Sequence, residues 1–197
     1  IKPNDGRIYG VLGLISCRCN QWKQATKDFQ KGLKLSPKQA WMHANLAWAL
    51  GKQGQWEAGD REIQQALNLD ANSSFSLGVK AWIAFHRSQW KTVVQAGTQG
   101  IVKSQQESSP VAIALKSWVY PLTIAALERV TSNQSGDITR RLQSFVQQVP
   151  NNGFALGLKA WHEYRKGNHS ACIQSLSWAT KCRDIPDWLA KNGGLIY

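Results

Sequence analysis

AWMHANLAWALGKQGQWEAGDREIQQALNLDANS, residues 40–73, sets the measure for the whole chain. Two helical patterns stand back to back in it, separated by Gly54-Gln55-Trp56. Apolar residues such as Ile63, Ala66 and Leu67 recur at spacings of three and four, as on a helix that buries one face. Laid over the preceding residues, the stretch matches again: Leu46-Ala47 and Trp56 answer Leu12-Gly13 and Trp22. The helix ends match too, Ala66-Leu67-x-Leu69 with Gly32-Leu33-x-Leu35. The period is 34 residues, and a fixed period of this size is the signature of a repeat array.

Beyond the stretch, Ala81 and Trp90 take the places of Ala47 and Trp56. FSLGVKAWIAFHRSQW at 75–90 pairs in one register with FALGLKAWHEYRKGNH at 154–169, and Lys116-Ser117-Trp118 repeats the core of both. The repeats therefore run over about 6–39, 40–73, 74–109, 110–152 and 153–186, with a cap over 187–197, in a single domain spanning 1–197. The fourth is irregular, with a loop near 129–137, Asp137 as an N-cap and a helix predicted over 138–149. Ser109-Pro110 reads as an N-cap followed by Pro at the first helical position. Small residues stand where paired helices must touch: Gly13, Ala47, Ala81, Ser117 and Ala160 in first helices, Ala25 and Gly59 in second ones. Gly54 and Gly167 suit the turns, and Pro37 and Pro150 stop second helices.

On these residues the chain resembles the tetratricopeptide repeat family. Leu12-Gly13, Trp22, Ala25, Phe29, Leu33 and Pro37 carry the likeness in the first copy. Leu46-Ala47, Gly54, Trp56, Ala66-Leu67 and Leu69 carry it in the second, and it covers about 180 of the 197 residues. The resemblance implies an all-α, right-handed α-solenoid of about five antiparallel helix-turn-helix repeats. It also implies a concave groove lined mainly by first helices. One departure is Lys80, Lys116 and Lys159, which occupy a position that is usually apolar. Either their stems lie along apolar surface, or the first helices are rotated there.

Composition narrows the function. Lys and Arg number 24 against 12 Asp and Glu, a formal net charge of +12, which favours acidic partners. Hydrophobic residues make up 43% of the chain, enough for a sizeable core, and no apolar run is long enough to predict a transmembrane helix. The chain begins at Ile1 without Met, which reads as an excised or processed piece, and no signal peptide is visible. Cys17, Cys19, Cys172 and Cys182 lack zinc-site spacing and read as reduced packing residues of a cytoplasmic protein. None of His43, His86, His162 and His169 sits in an HExxH pattern, and no GxSxG or phosphate loop occurs. A Cys–His nucleophile pair such as Cys172 with His169 can be written, but a helical spacing of three reads as coincidence. No catalytic residue, metal site or cofactor is expected. A nucleic-acid partner is disfavoured, because no RNA-binding signature is present and Lys23, Lys27, Lys31 and Lys34 cluster on one outer helix. An anionic membrane surface remains an alternative dock for the basic face.

What the resemblance implies about the groove can be read position by position. One groove position holds Leu14, Trp48, Trp82, Trp118 and Trp161; another holds Arg7, Trp41, Phe75, Val111 and Phe154. Two more hold Cys17, Gly51, Phe85, Pro121 and Tyr164, and Arg18, Lys52, His86, Leu122 and Arg165. Partner contact is therefore expected at Trp41, Asn45, Trp48, Lys52, Phe75, Trp82, His86, Trp118, Trp161, Tyr164, Arg165 and Arg18. Four Trp at one repeat position suggest anchors for a peptide with apolar and acidic residues, since Trp and Arg are common hot spots. The competing reading is that these Trp are core. The family's carboxylate clamp for chaperone tails is absent: only Asn45 matches it, and its other places hold Gly10, Leu14, Phe75 and Val79.

Overall fold

A computed structural model of the chain describes residues 5–105, 107, 118–119, 122–123, 125–127, 129–130, 140, 143–144, 146–147, 150–151 and 153–182. Eight helices are delimited there: α1 (Gly6–Arg18), α2 (Trp22–Leu35), α3 (Ala40–Gly51), α4 (Trp56–Leu69), α5 (Ser74–His86), α6 (Trp90–Gln105), α7 (Gly153–Arg165) and α8 (His169–Ala179). They form four helix-turn-helix pairs, and the second helix of one pair packs on the first helix of the next, α2 on α3 and α4 on α5. The result is an all-α solenoid. Residues 118–119, 122–123, 125–127 and 129–130 are helical as well. The Ser109-Pro110 N-cap, Lys116, Ser117, the 138–149 helix as a unit with its Asp137 cap, and the 187–197 cap lie outside the described residues.

All four described turns between paired helices are built alike. Asn20, Gly54, Ser88 and Gly167 adopt left-handed backbone, with φ of 58°, 74°, 57° and 75°. The next amide reaches back across the turn: Gln21 N–H donates to the Ser16 carbonyl at 2.9 Å, Gln55 to Leu50 at 3.0 Å, Gln89 to Ala84 at 2.9 Å and Asn168 to Glu163 at 2.9 Å. This closure satisfies carbonyls that a helix end otherwise leaves open. Two turns use glycine, as the sequence suggests, and two use Asn and Ser at the same repeat position. Asn tolerates this conformation best among side-chain-bearing residues.

The core runs across pair boundaries. Ala25, Phe29 and Leu33 of α2 join Met42, Leu46, Ala49 and Leu50 of α3 in one buried cluster. Ile63, Ala66 and Leu67 of α4 join Val79 and Ile83 of α5 in the next. No pair covers its own apolar face, so each depends on its neighbour, as a solenoid requires. The close approach inside the first pair depends on Gly13, where a Cβ would lie 2.7 Å from the Phe29 ring. Lys80 answers the question of helix rotation for α5. Its Nζ donates to Gln64 Oε1 of α4 at 3.3 Å, so it points at the preceding second helix, just as Leu46 packs on α2. α5 therefore keeps the orientation of α3, and the half-buried Lys80 stem carries its ammonium to the rim.

Candidate functional site

Among the described residues, first helices touch one another, α1 with α3 and α3 with α5, while second helices make no comparable contact. The stack therefore curves toward its first helices, which form the inner layer. α3 suits that place: AWMHANLAWALG is apolar around its circumference, because α1, α2, α4 and α5 all pack on it.

From this layer the indoles of Trp48, Trp82 and Trp118 converge. Ring centroids of Trp48 and Trp82 lie 4.6 Å apart, Trp48 and Trp118 5.2 Å, and Trp48 and Phe75 6.5 Å. All four rings are half-buried. They rest on the cluster formed by Ala44, Ala47, Ile63 and Val79. The rings are mutually tilted, by 39° between Trp48 and Trp82 and 53° between Trp48 and Trp118, and each is part covered and part exposed. Gly51 makes room for this, because a Cβ there would lie 2.4 Å from Trp82 Cζ3.

Lys52 follows Gly51 and caps the cluster. Its exposed ammonium stands 4.8 Å from the Trp48 centroid, 5.4 Å from Trp82 and 5.9 Å from Trp22. The negative faces of these indoles hold the cation by about 0.5–1 kcal/mol at an exposed site. His86 closes the same corner, stacked on Trp56 at 4.1 Å with 9° between planes and edge-on to Trp82 at 5.4 Å. Burial, with the Lys52 charge nearby, lowers the His86 pKa below the ordinary imidazole range. At neutral pH His86 therefore enters the site as an uncharged aromatic ring.

The remaining expected contacts divide. Trp161 and Tyr164 of α7 pair at 5.9 Å and 30°, and Tyr164 meets His169 at 5.8 Å, forming a second aromatic cluster in the last described pair. Trp41 lies over α1, close enough that a Cβ on Gly10 would meet its Cη2 at 2.4 Å, and its Nε1 donates to Gln39 Oε1 at 3.2 Å. Asn45 turns inward and donates from Nδ2 to the Trp41 carbonyl at 2.7 Å. Arg18 and Arg165 are exposed in the last turns of α1 and α7, where a cation complements the helix dipole. Val111 and Pro121 lie outside the described residues, as does the side chain of Phe154.

Two wall residues are absent from the sequence expectations. Trp56 contacts Trp82 edge-on at 5.2 Å as well as stacking on His86, and Trp22 faces Lys52. Both open second helices and count in the sequence as fold markers. Their recurrence at one repeat position was the available signal, since that position adjoins the end of the first helix.

Elsewhere the polar side chains serve structure. His43 joins Glu62 at 2.7 Å and the Pro37 carbonyl at 3.0 Å. Cys172 is buried, and burial with the Glu163 charge raises its thiol pKa, the opposite of nucleophile activation. Among the described residues no group of His, Cys, Asp and Glu is placed to hold a metal, and no helix is long and apolar enough to cross a membrane.

The architecture matches solved structures along nearly the whole chain. PilF of Pseudomonas aeruginosa superposes with a TM-score of 0.60 at 16% identity, over 90% of this chain and 76% of PilF. MamA of Desulfovibrio magneticus RS-1 gives 0.60 at 12% identity, over 95% of this chain and 99% of MamA. YrrB, a TPR protein with an unusual peptide-binding site, gives 0.55 at 13% identity, over 98% of this chain and 94% of YrrB. No family model matches the sequence. No curated protein matches it either. The fold is that of the tetratricopeptide repeat proteins.

Proposed function

We propose that this tetratricopeptide-type solenoid is a non-catalytic interaction scaffold that takes a peptide segment of another protein into its inner groove. The observation that carries the proposal is the half-buried cluster of Trp48, Trp82 and Trp118 with the Lys52 ammonium across it. Such a surface offers indole faces to apolar side chains and a fixed cation to a carboxylate. The acidic contact is assigned to Lys52, with Arg18 and Arg165 at the flanks. Trp41, Asn45 and Phe75 extend the surface on one side, and Trp161 and Tyr164 on the other. The peptide-binding site of YrrB, on the same fold, supports a peptide as the ligand. The whole chain is taken as one domain, acting in the cytoplasm.

The test is selection of peptides from a displayed library on the folded protein. Peptides rich in apolar and acidic residues should emerge. Trp82→Ala should weaken them by about 1–4 kcal/mol, as hot-spot truncations do. Trp178→Ala, at a Trp that is 58% exposed on α8, should leave them unchanged. Because Trp82 also packs on the core, Trp82→Leu serves as the fold-preserving companion. Equal binding by wild type and both Trp82 variants would remove the groove from the proposal. Selection of ligands whose affinity collapses with salt and ignores Trp82 would favour the basic surface as a dock for nucleic acid or an anionic membrane.

A further inference from the structure

α2 turns a row of lysines to solvent. Lys23, Lys27, Lys31 and Lys34 are all exposed, while Ala25, Phe29 and Leu33 on its other side are buried. At about 100° and about 1.5 Å per residue, the four fall within an arc of about 80° over about 16 Å of helix axis. Gln24 and Gln30, exposed and uncharged, border the arc. The fold does not ask for lysine there. One repeat later the same places hold Glu57, Arg61, Gln65 and Asn68, and in α6 three of them hold Lys91, Gln95 and Gln99. All of these are exposed too, although α4 has a described pair on either side of it. This face of a second helix therefore looks away from both neighbours, and a pair stacked ahead of α1 would not cover it.

The row also lacks a counter-charge. Asp28, the one acid of α2, is half-buried toward α1, where its carboxylate accepts from Ser16 Oγ at 3.0 Å and from Gln24 Nε2 at 2.8 Å. On α4, Asp60 is taken by Arg87 and Glu62 by His43. Among the described residues no carboxylate pairs with any of the four lysines. Lys31 meets the Tyr9 ring at 4.2 Å, a contact that leaves its charge in place. Like charges one turn apart repel, and no internal contact offsets that repulsion along α2.

We infer that the outer face of α2 docks this chain on an anionic bilayer surface. The choice of residues separates that partner from other polyanions. All four cations are lysines, compact point charges without the planar fork that arginine offers a nucleic-acid phosphate. No aromatic side chain stands within the row to stack on a base. No apolar side chain stands there to form the centre of a protein interface. A lipid surface asks for neither, since mobile anionic headgroups gather under fixed charges. The apolar side of α2 is buried in the fold, so the contact is electrostatic and reversible, without insertion. The formal net charge of +12 adds attraction at longer range. α2 belongs to the outer layer, so a docked chain keeps its inner groove open, and neither peptide capture nor docking depends on the other.

Co-sedimentation of the 197-residue chain with vesicles of phosphatidylcholine mixed with phosphatidylserine tests it, with vesicles of phosphatidylcholine alone beside them. Binding to the mixed vesicles is expected, with loss at high salt, and none to the neutral ones. Each lysine near such a surface contributes about fivefold to the partition coefficient, so Lys27→Gln with Lys34→Gln should lower it about 25-fold. Lys27→Arg with Lys34→Arg keeps the charge and should keep the binding. Lys91→Gln with Lys181→Gln removes the same charge from exposed sites on other pairs and should lower binding only slightly. Gln is a good helix former and the substituted sites are exposed, so circular dichroism should not change. Trp82→Leu should leave vesicle binding intact, so failure of the groove and failure of the dock are told apart. No binding to the mixed vesicles, or an equal loss in the two Gln pairs, would overturn the inference. So would retention by a duplex DNA fragment or an oligo-glutamate peptide that needs Lys27 and Lys34 while the vesicles are ignored, and the row would then belong to that partner.

Discussion

Replacing Gly51 by Ala tests whether the groove is held in place by the same packing that builds the fold. The new Cβ would lie 2.4 Å from Trp82 Cζ3, 2.8 Å from Cη2 and 3.3 Å from Trp56 Cζ3, against 3.4–4 Å for ordinary contact. The Trp82 ring must withdraw by about 1 Å, and dispersion contacts fall steeply over such a distance. Trp48 at 4.6 Å and Trp56 at 5.2 Å hem it in. Overpacking of this kind costs about 1–3 kcal/mol. Ala recovers up to about 1 kcal/mol over Gly within a helix, and less at Gly51, the last residue of α3. The net is a loss of about 1–2 kcal/mol, or roughly 2–8 °C in Tm for a chain of this size. Thermal unfolding followed by circular dichroism reads the shift, and the Trp82 indole N–H resonance reads the displaced ring. In a Trp82→Leu background the same substitution should be neutral or stabilising, a coupling that a double-mutant cycle isolates. A Gly51→Ala chain with a higher Tm, or an equal cost in both backgrounds, would refute the proposed contact.

Phe29→Ala should cost about 3–5 kcal/mol, because the ring is fully buried between Gly13 and the α3 core; urea unfolding measures it, and a loss under 1 kcal/mol would contradict the packing. His86 and His162 both have lowered pKa values, from burial with Lys52 and with Lys166 nearby. The unfolded chain therefore takes up protons first as pH falls, so stability is full above the ordinary imidazole value of about 6.5 and declines below it. Lys52→Met should raise the His86 pKa toward that value in an NMR titration of the ring, and a fall instead would remove Lys52 from its neighbourhood. Burial pushes the Cys17 thiol up to about 11 and raises Cys172, whereas Cys19 is exposed. A thiol reagent at neutral pH should therefore label Cys19 well before Cys17 and Cys172, as peptide mapping would show.

The solenoid was legible because its signal is repeated. Leu46-Ala47, Gly54 and Trp56 recur at a fixed distance, and each recurrence reinforces a helix or a turn that a single copy would suggest only weakly. The left-handed residues show where that legibility ends. Gly54 and Gly167 declare themselves by residue type, but Asn20 and Ser88 adopt the same backbone and are visible only through register. The site was harder to read for a physical reason. A repeat position specifies which way a side chain leaves the helix, not what it meets. Trp82 and Trp161 share a position, yet Trp82 meets Trp48 at a tilt and Trp56 edge-on, while Trp161 pairs with Tyr164. His86 shares its position with Lys52 and Arg165, and its neighbours make it a neutral ring. Trp56 was assigned to the fold alone, although its ring packs on the core and also stacks on His86.

Partner capture on the Trp48–Trp82–Trp118 cluster is tested most directly by the indole N–H spectrum of the protein, whose ten Trp each give one resonance. On titration with a selected apolar and acidic peptide, the resonances of Trp48, Trp82 and Trp118 should move together and saturate together, while that of Trp178 stays in place. Saturable binding that shifts other resonances and leaves those three unmoved would contradict it.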